Sequence, residues 1–82
     1  MYSSFMAINI LFFGQLRDIT NNDTMTLNNV PDTDSLMQQL KKSYPSLAGY
    51  PYLIAVDKEL ISSNTTLSDN CTVALLPPYA GG

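Results

Sequence analysis

The stretch PDTDSLMQQLKKSYP, residues 31–45, carries the signals of one complete amphipathic helix. Asp32 or Thr33 can accept hydrogen bonds from the free backbone N–H groups at its start. Apolar side chains then recur at helical spacing, at Leu36, Met37, Leu40 and Tyr44. Because Pro45 cannot continue the helix, the sequence predicts one helix whose single apolar face must be buried against another element.

Short apolar segments on either side of this helix predict the strands of a sheet, the first two of which pair as a hairpin. They are residues 7–13, 24–30, 52–56, 60–61 and 72–76. The segment 14–23 is polar and is assigned no helix or strand, and Asn21, Asn22 and Asp23 within it favour a turn. One helix packed across one face of a mixed sheet would bury the apolar faces of both, so the predicted fold class is α+β.

Alternation along the first and last predicted strands sorts their side chains onto two faces of the sheet. The residues expected to face the helix are Ile8, Ile10, Phe12, Val73 and Leu75. The residues expected on the opposite face are Leu11, Phe13, Ala74 and Leu76. An open apolar sheet face usually marks an interface, although a loop that packs over these residues would also cover them.

Composition narrows the classes of function. The 82 residues, 45% of them hydrophobic, suffice for one domain. Seven carboxylates against four lysines and arginines leave no basic surface for nucleic acid, so we expect protein partners. No apolar run approaches the ~20 residues that span a bilayer, and residues 1–5 lack the features of a signal peptide. We therefore expect a cytoplasmic protein without membrane contact.

Side chains that could carry chemistry within the domain are scarce. Cys71 is the only cysteine and the sequence has no histidine, which argues against an internal disulfide and the usual zinc sites. The commonest general base is missing as well. We expect Cys71 to be a small, partly buried residue, and we expect neither a metal site nor a bound cofactor.

The last six residues, PPYAGG, are not explained by folding alone. Pro77 and Pro78 have no backbone N–H, so the last strand cannot extend its hydrogen-bond ladder through them. Fully extended, six residues reach about 20 Å, far enough to enter the active site of another protein. Gly81 and Gly82 lack a Cβ, which permits a narrow path. A frayed terminus is the alternative, but strand, double proline and diglycine in this order favour an arm that carries a terminal carboxylate.

Three segments match, in order, the pattern of a known family. They are INILFFGQLRD (residues 8–18), AVDKELI (residues 55–61) and VALLPPYAGG (residues 73–82). From Met6 to Gly82 the chain resembles the small subunit of molybdopterin synthase, the sulfur carrier MoaD, and the double proline with the diglycine is the most specific match. The resemblance implies a β-grasp, ubiquitin-like fold, in agreement with the order of strands and helix above.

The resemblance also implies a mechanism in which this chain donates sulfur without being the catalytic subunit. An E1-like, MoeB-like enzyme would use ATP to adenylate the carboxylate of Gly82, and a sulfur donor protein would convert the adenylate to a thiocarboxylate. The tail would then enter a MoaE-like large subunit and pass its sulfur to cyclic pyranopterin monophosphate. The inserted residues would be Pro77, Pro78, Tyr79, Ala80 and Gly81. The expected assembly is a heterotetramer built on a large-subunit dimer, with the catalytic lysines on the large subunit.

By the same resemblance, Phe13, Leu60 and Leu76 match positions that contact the large subunit and the adenylating enzyme. Together with the alternation above, the predicted partner interface is Leu11, Phe13, Leu60, Ala74 and Leu76. Arg17 matches an arginine of the family, although an exposed ion pair with a nearby carboxylate would explain it equally well. Tyr79 replaces a small aliphatic residue of the family pattern, and Asp57 replaces an asparagine.

The sequence is divided accordingly into an N-terminal extension (residues 1–5), a β-grasp domain (residues 6–76) and a tail (residues 77–82), with Met6 as a candidate start. Two other functions share the fold and the diglycine. A ThiS-like sulfur carrier for thiamine thiazole synthesis is usually shorter and lacks the double proline. A ubiquitin-like modifier would instead join its terminal glycine to lysines of target proteins.

Overall fold

The computed structural model describes residues 6–78, which form a five-stranded sheet, two α-helices and one 3-10 helix. In chain order the elements are β1 (Ala7–Phe12), α1 (Gln15–Thr20), β2 (Thr24–Asn28), α2 (Thr33–Ser43), the 3-10 helix (Pro45–Gly49), β3 (Leu53–Val56), β4 (Glu59–Ile61) and β5 (Thr72–Leu76). The strand order across the sheet is β2-β1-β5-β3-β4. The neighbouring strands β1 and β5 are parallel, and every other pair is antiparallel.

The main helix begins and ends where its capping residues predict. The backbone N–H of Ser35 donates a hydrogen bond to Oδ1 of Asp32 (2.9 Å), which makes Asp32 the N-cap of α2. Hydrogen bonds from the Ser35 side chain, the Ser35 backbone N–H and the Asn64 amide hold the pKa of Asp32 below its usual value. The helix ends at Ser43, before Pro45. Both expected boundaries are therefore confirmed.

The hydrophobic core lies between α2 and one face of the sheet. The helix contributes Leu36, Met37 and Leu40, all buried. The sheet contributes the inward set expected from alternation, namely Ile8, Ile10, Phe12, Val73 and Leu75. Leu67, in the connection before β5, is also buried, and its backbone N–H donates to the carbonyl of Pro31 (2.9 Å). The mixed sheet with one main helix across one face is thus confirmed.

The segment 14–23, to which the sequence assigns no helix or strand, contains the short helix α1. Leu16 and Thr20 lie one turn apart and are both buried, and the Thr20 hydroxyl donates to the carbonyl of Leu16 (3.0 Å). Asn21 ends the helix in a left-handed conformation with φ 59°. A helix of six residues shows a single apolar repeat, which is too short a pattern to distinguish from a loop.

Smaller differences concern element ends. The first strand stops at Phe12 and β2 stops at Asn28, one and two residues before the predicted limits, whereas β3 begins one residue late, at Leu53. Residues 45–49, for which the sequence predicts no helix or strand, form the 3-10 helix. The last strand, Thr72–Leu76, has the predicted bounds.

Candidate functional site

The sheet face opposite α2 carries a continuous apolar surface, which we call the apolar patch. It consists of Leu11, Phe13, Leu53, Ala55, Leu60, Ala74 and Leu76. The strand register explains its continuity: Leu11 pairs with Ala74, Ala74 with Ala55, and Ala55 with Leu60, so these four residues form one row across β1, β5, β3 and β4. The structure therefore brings together all five residues that the sequence predicts as a partner interface.

The apolar patch is concave because, along the row that crosses the strands, two alanines lie between two leucines. Alanines occupy the middle strands β5 and β3, whereas Phe13 follows β1 on one side and Leu60 lies on β4 at the other. They enclose a depression of about 550 Å³. Phe13 is 43% exposed and Leu60 is 65% exposed. An exposed apolar concavity of this kind fits an apolar protrusion of another protein.

A polar turn borders the apolar patch at the β3–β4 connection. Asp57 and Lys58 both have positive φ, 48° and 75°, as the two-residue hairpin turn requires. The carboxylate of Asp57 accepts a hydrogen bond from the backbone N–H of Thr72 (2.9 Å). Aspartate and asparagine both tolerate positive φ and both offer a side-chain oxygen as acceptor, so Asp57 suits this turn. Lys58 adds a cation beside the patch.

The chain leaves the sheet beside this patch. Because β1 and β5 are parallel, both end at the same edge, where the backbone N–H of Phe13 donates to the carbonyl of Leu75 (3.1 Å). Pro77 follows β5 and is buried, whereas Pro78 is exposed. Tyr79, Ala80, Gly81 and Gly82 lie outside the described residues, as do residues 1–5. The predictions for the reacting carboxylate, the inserted tail and the N-terminal extension therefore stay predictions.

Sequence reasoning missed the residues that surround Pro77. They line a small cleft of about 110 Å³, which we call the exit cleft, and they are Gln15, Leu16, Tyr50, Pro51, Pro77 and Pro78. Gly14 lies against the same proline, since a Cβ at Gly14 would be 2.6 Å from Cγ of Pro77. The available signal was a glycine directly after an apolar strand, which often marks a close backbone approach.

Other candidate residues lie away from these two surfaces. Arg17 pairs with Asp23 (Nε to Oδ1, 3.5 Å), with both side chains more than half exposed, so the ion-pair alternative describes it. Cys71 is buried, as expected for a small packing residue. Within residues 6–78, no three His, Cys, Asp or Glu side chains are grouped closely enough to hold a metal ion. Over the same range, no helix has the length and apolarity needed to span a membrane.

Comparison with known proteins decides the family. The model of the ThiS family matches residues 10–82. The chain belongs to the ThiS family. It is similar to the molybdopterin synthase sulfur carrier subunit of Mycobacterium tuberculosis, with 32% identity over an alignment that covers 94% of this chain and 99% of that protein. The resemblance drawn from the three sequence segments is thereby confirmed.

Two solved structures have the same fold as this ThiS-family chain. Small archaeal modifier protein 1 from Methanosarcina acetivorans superposes with a TM-score of 0.77 at 18% identity, covering 98% of this chain and all of that one. This likeness confirms the β-grasp fold. A chain from the complex of subunits 1 and 2 of the molybdopterin-converting factor from Helicobacter pylori matches with a TM-score of 0.69 and 29% identity. The match covers 94% of this chain and all of that one.

Proposed function

We propose that this chain is the sulfur carrier subunit of a molybdopterin synthase, with the carboxylate of Gly82 as the reacting group. The observation that carries the proposal is that the apolar patch and the point where the chain leaves the sheet are adjacent, at Leu76 and Pro77. A partner that covers the patch therefore also receives the residues that follow Pro78. The relative from Mycobacterium tuberculosis, named for this role and alike over nearly its full length, supports the same function.

The proposed chemistry begins with a poor electrophile. An oxygen of the Gly82 carboxylate attacks the α-phosphorus of ATP in an E1-like enzyme and displaces pyrophosphate, which gives an acyl-adenylate. A sulfide-level nucleophile supplied by a sulfur donor protein then attacks the acyl carbon, and AMP leaves with its bonding electron pair. The product is a thiocarboxylate, whose sulfur is the nucleophile in the next step. ATP is thus used by the activating enzyme and is not a bound cofactor of this chain.

In the second half-reaction the thiocarboxylate enters a large subunit that holds cyclic pyranopterin monophosphate. Each carrier delivers one sulfur, and a dithiolene needs two, so two charged carriers are consumed for each product. A heterotetramer with two carriers on a large-subunit dimer satisfies this stoichiometry. The complex of subunits 1 and 2 in the Helicobacter pylori protein supports a large-subunit partner. Because activation consumes ATP, we place the chain in the cytoplasm.

The domain contributes binding energy to both steps. Phe13 and Leu60 are exposed in the isolated chain, and full burial of a large apolar side chain stabilises a complex by roughly 1.5–3 kcal/mol. The central alanines of β3 and β5 leave the space that a partner's side chain would fill. Neither step requires an acid, base or metal from residues 6–78, since we assign those groups to the partners.

The direct test is to incubate the chain with an E1-like enzyme, ATP and a sulfur source and to weigh the intact product. The expected mass change corresponds to the replacement of one oxygen by sulfur, located by proteolysis on the peptide that ends in Gly82. The matched control is the chain without Gly82, which should bind the same enzyme but acquire no sulfur. An unchanged mass for the full chain, beside a related carrier that is converted by the same enzyme preparation, would overturn the proposal.

Two other outcomes would favour a different function for this chain. A thiocarboxylate that forms but passes no sulfur to cyclic pyranopterin monophosphate in a large subunit would favour thiazole synthesis. Isopeptide-linked conjugates between Gly82 and lysines of other proteins would favour a modifier. Mass spectrometry of the reaction products distinguishes the three.

A further inference from the structure

The point from which the tail starts is held by residues distant in sequence. Pro77 is buried, and the exit cleft around it is built from the start of α1 and from the segment after the 3-10 helix. The hydroxyl of Tyr50 donates a hydrogen bond to Oε1 of Gln15 (2.6 Å), which ties these two elements together beside the proline. The next residue, Pro78, is exposed. The part of the chain that packs against the rest of the domain thus extends one residue beyond β5, to Pro77.

Gly14 allows Pro77 to lie where it does. Its φ of 58° and ψ of −136° lie in a region that side chains with a Cβ rarely adopt. In addition, a Cβ there would be 2.6 Å from Cγ of Pro77 and 3.5 Å from its Cδ. The first distance is too short for two carbon atoms, so either the proline or the turn after β1 would have to move. Gly49 offers a contrast, because a Cβ at that position would meet nothing within 4 Å.

We propose that Gly14, together with the Tyr50–Gln15 hydrogen bond, is a positioning element that fixes Pro77 and thereby sets the direction in which the reacting carboxylate is presented. This inference rests on the proposed function, since it concerns the delivery of Gly82. None of these residues is assigned a part in the chemistry itself. They act through Pro77, whose fixed ring determines where the remaining residues begin.

The length of the tail makes this direction matter. The four residues after Pro78 extend at most about 14 Å, so a rotation of about 20° at Pro77 displaces their far end by about 5 Å. A displacement of about 1 Å at a reacting atom can cost on the order of 100-fold in rate. A partner can correct the direction of the tail after docking, but restricting a chain that was free to move costs conformational entropy. Fixing Pro77 before docking removes part of that entropic cost.

The experiment compares Gly14→Ala with Gly49→Ala as a matched glycine control. For each chain, the initial rate of thiocarboxylate formation is measured against carrier concentration, with the E1-like enzyme, ATP and sulfide. For Gly14→Ala we expect a maximal rate about 10-fold lower, with the half-saturating concentration changed by less than about 2-fold. Gly49→Ala should match the unaltered chain in both quantities. This split between maximal rate and half-saturation is what a purely structural role would not produce.

A double variant tests whether the effect passes through the proline. Pro77→Ala removes Cγ and Cδ, the atoms that a Cβ at position 14 would approach most closely. Adding Gly14→Ala to Pro77→Ala should therefore lower the maximal rate by a smaller factor than Gly14→Ala does alone. Tyr50→Phe, which removes only the hydroxyl that donates to Gln15, provides a milder variant. Even if Gly14→Ala fails to fold, Tyr50→Phe should lower the maximal rate by about 3-fold with unchanged half-saturation.

The outcomes separate the two proposals. If the unaltered chain forms no thiocarboxylate, the proposed function is overturned and the positioning role falls with it. If the unaltered chain reacts and both Gly14→Ala and Tyr50→Phe match its maximal rate, only the positioning role is overturned. A higher half-saturating concentration with an unchanged maximal rate would make these residues part of the docking surface and would also contradict the inference.

Discussion

At the scale of single residues, the apolar patch depends on a few side chains that folding does not require. Leu60 is 65% exposed on the three-residue edge strand β4. A large apolar residue on an exposed sheet edge favours unwanted association, so its presence there is best explained by a partner that covers it. Phe13, 43% exposed where β1 ends, has the same character.

Leu60→Ala should weaken binding to the large subunit and leave the domain as stable as before. Loss of most of a buried leucine side chain from the interface costs roughly 1–2 kcal/mol, or about 5- to 30-fold in Kd. Isothermal titration calorimetry measures the affinity, and thermal unfolding checks the fold. Thr24→Ala is a suitable control, since Thr24 pairs with Leu11 on the same sheet face but lies outside the apolar patch. Equal affinities for Leu60→Ala and the unaltered chain would show that the patch is not the interface.

Cys71 is the residue that could be mistaken for the sulfur-bearing group. It is buried in the core, where its thiol is shielded from an incoming sulfur donor. Cys71→Ala should lower the free energy of unfolding by about 1–2 kcal/mol, because a buried group is lost. The yield of thiocarboxylate per folded chain should not change. A variant that folds but accepts no sulfur would mean that the cysteine takes part in the reaction.

At the scale of secondary-structure elements, α2 depends on a charged cap. Asp32 accepts a hydrogen bond from the backbone N–H of Ser35 at the start of the helix. Hydrogen bonds from Ser35 and Asn64 lower the pKa of Asp32. A carboxyl group with a lowered pKa in the folded state stabilises the fold above its unfolded pKa. This contribution is lost as the pH falls through the lowered pKa, when the folded state also takes up the proton.

The expected result is a pH-dependent difference between Asp32→Ala and the unaltered chain. Asp32→Ala should have the lower Tm above about pH 5, and the gap should narrow as the pH falls below about 4. Asp32→Asn is the matched control, because asparagine can cap the helix but does not titrate. Thermal unfolding followed by circular dichroism gives the Tm values. A gap that stays constant from neutral to acidic pH would contradict the assigned role of the Asp32 charge.

An element could be predicted where both its apolar pattern and a residue that ends it are visible in the sequence. An element that is stabilised by contacts with residues distant in sequence could not. The last strand had the predicted bounds because Val73 and Leu75 alternate with their neighbours and the double proline ends the pattern. In contrast, α1 is stabilised by burial of Leu16 and Thr20 against distant elements, which no local pattern reveals. The contact between Gly14 and Pro77 joins residues from opposite ends of the sequence, so spacing alone could not suggest it.

The candidate site shows the same division. The interface residues on β1 and β5 follow from alternation, and the structure adds Leu53 and Ala55, whose face was not assigned from the sequence. The strand that contains them is apolar at every position, so its sequence does not show which side chains face α2 and which face away. Neighbouring strands determine that orientation, since Ala55 pairs with both Ala74 and Leu60.

At the scale of the whole molecule, one apolar face would serve both of the proposed partners. If the E1-like enzyme and the large subunit both bind the apolar patch, a single carrier cannot bind both at once. The depression of about 550 Å³ offers room for one apolar protrusion. Sulfur loading and sulfur delivery would then occur in separate complexes, with release of the carrier between them.

Mutual exclusion can be measured by adding large subunit to the adenylation reaction. It should raise the half-saturating concentration of carrier for the E1-like enzyme without lowering the maximal rate, as a competitor does. The control is large subunit whose carrier-binding surface is already occupied by the Gly82-deleted chain. It should have little effect on the half-saturating concentration. A stable ternary complex on size-exclusion chromatography would contradict shared use of the patch.

The central position of β5 ties the apolar patch to the completion of folding. This strand, the last of those that the structure describes, is inserted between β1 and β3 and supplies Ala74 and Leu76 to the apolar patch. A newly made or partly unfolded chain in which β5 has not yet paired therefore has an incomplete patch. If the activating enzyme binds this surface, as proposed above, it would use ATP only on carriers in which β1 and β5 have already paired.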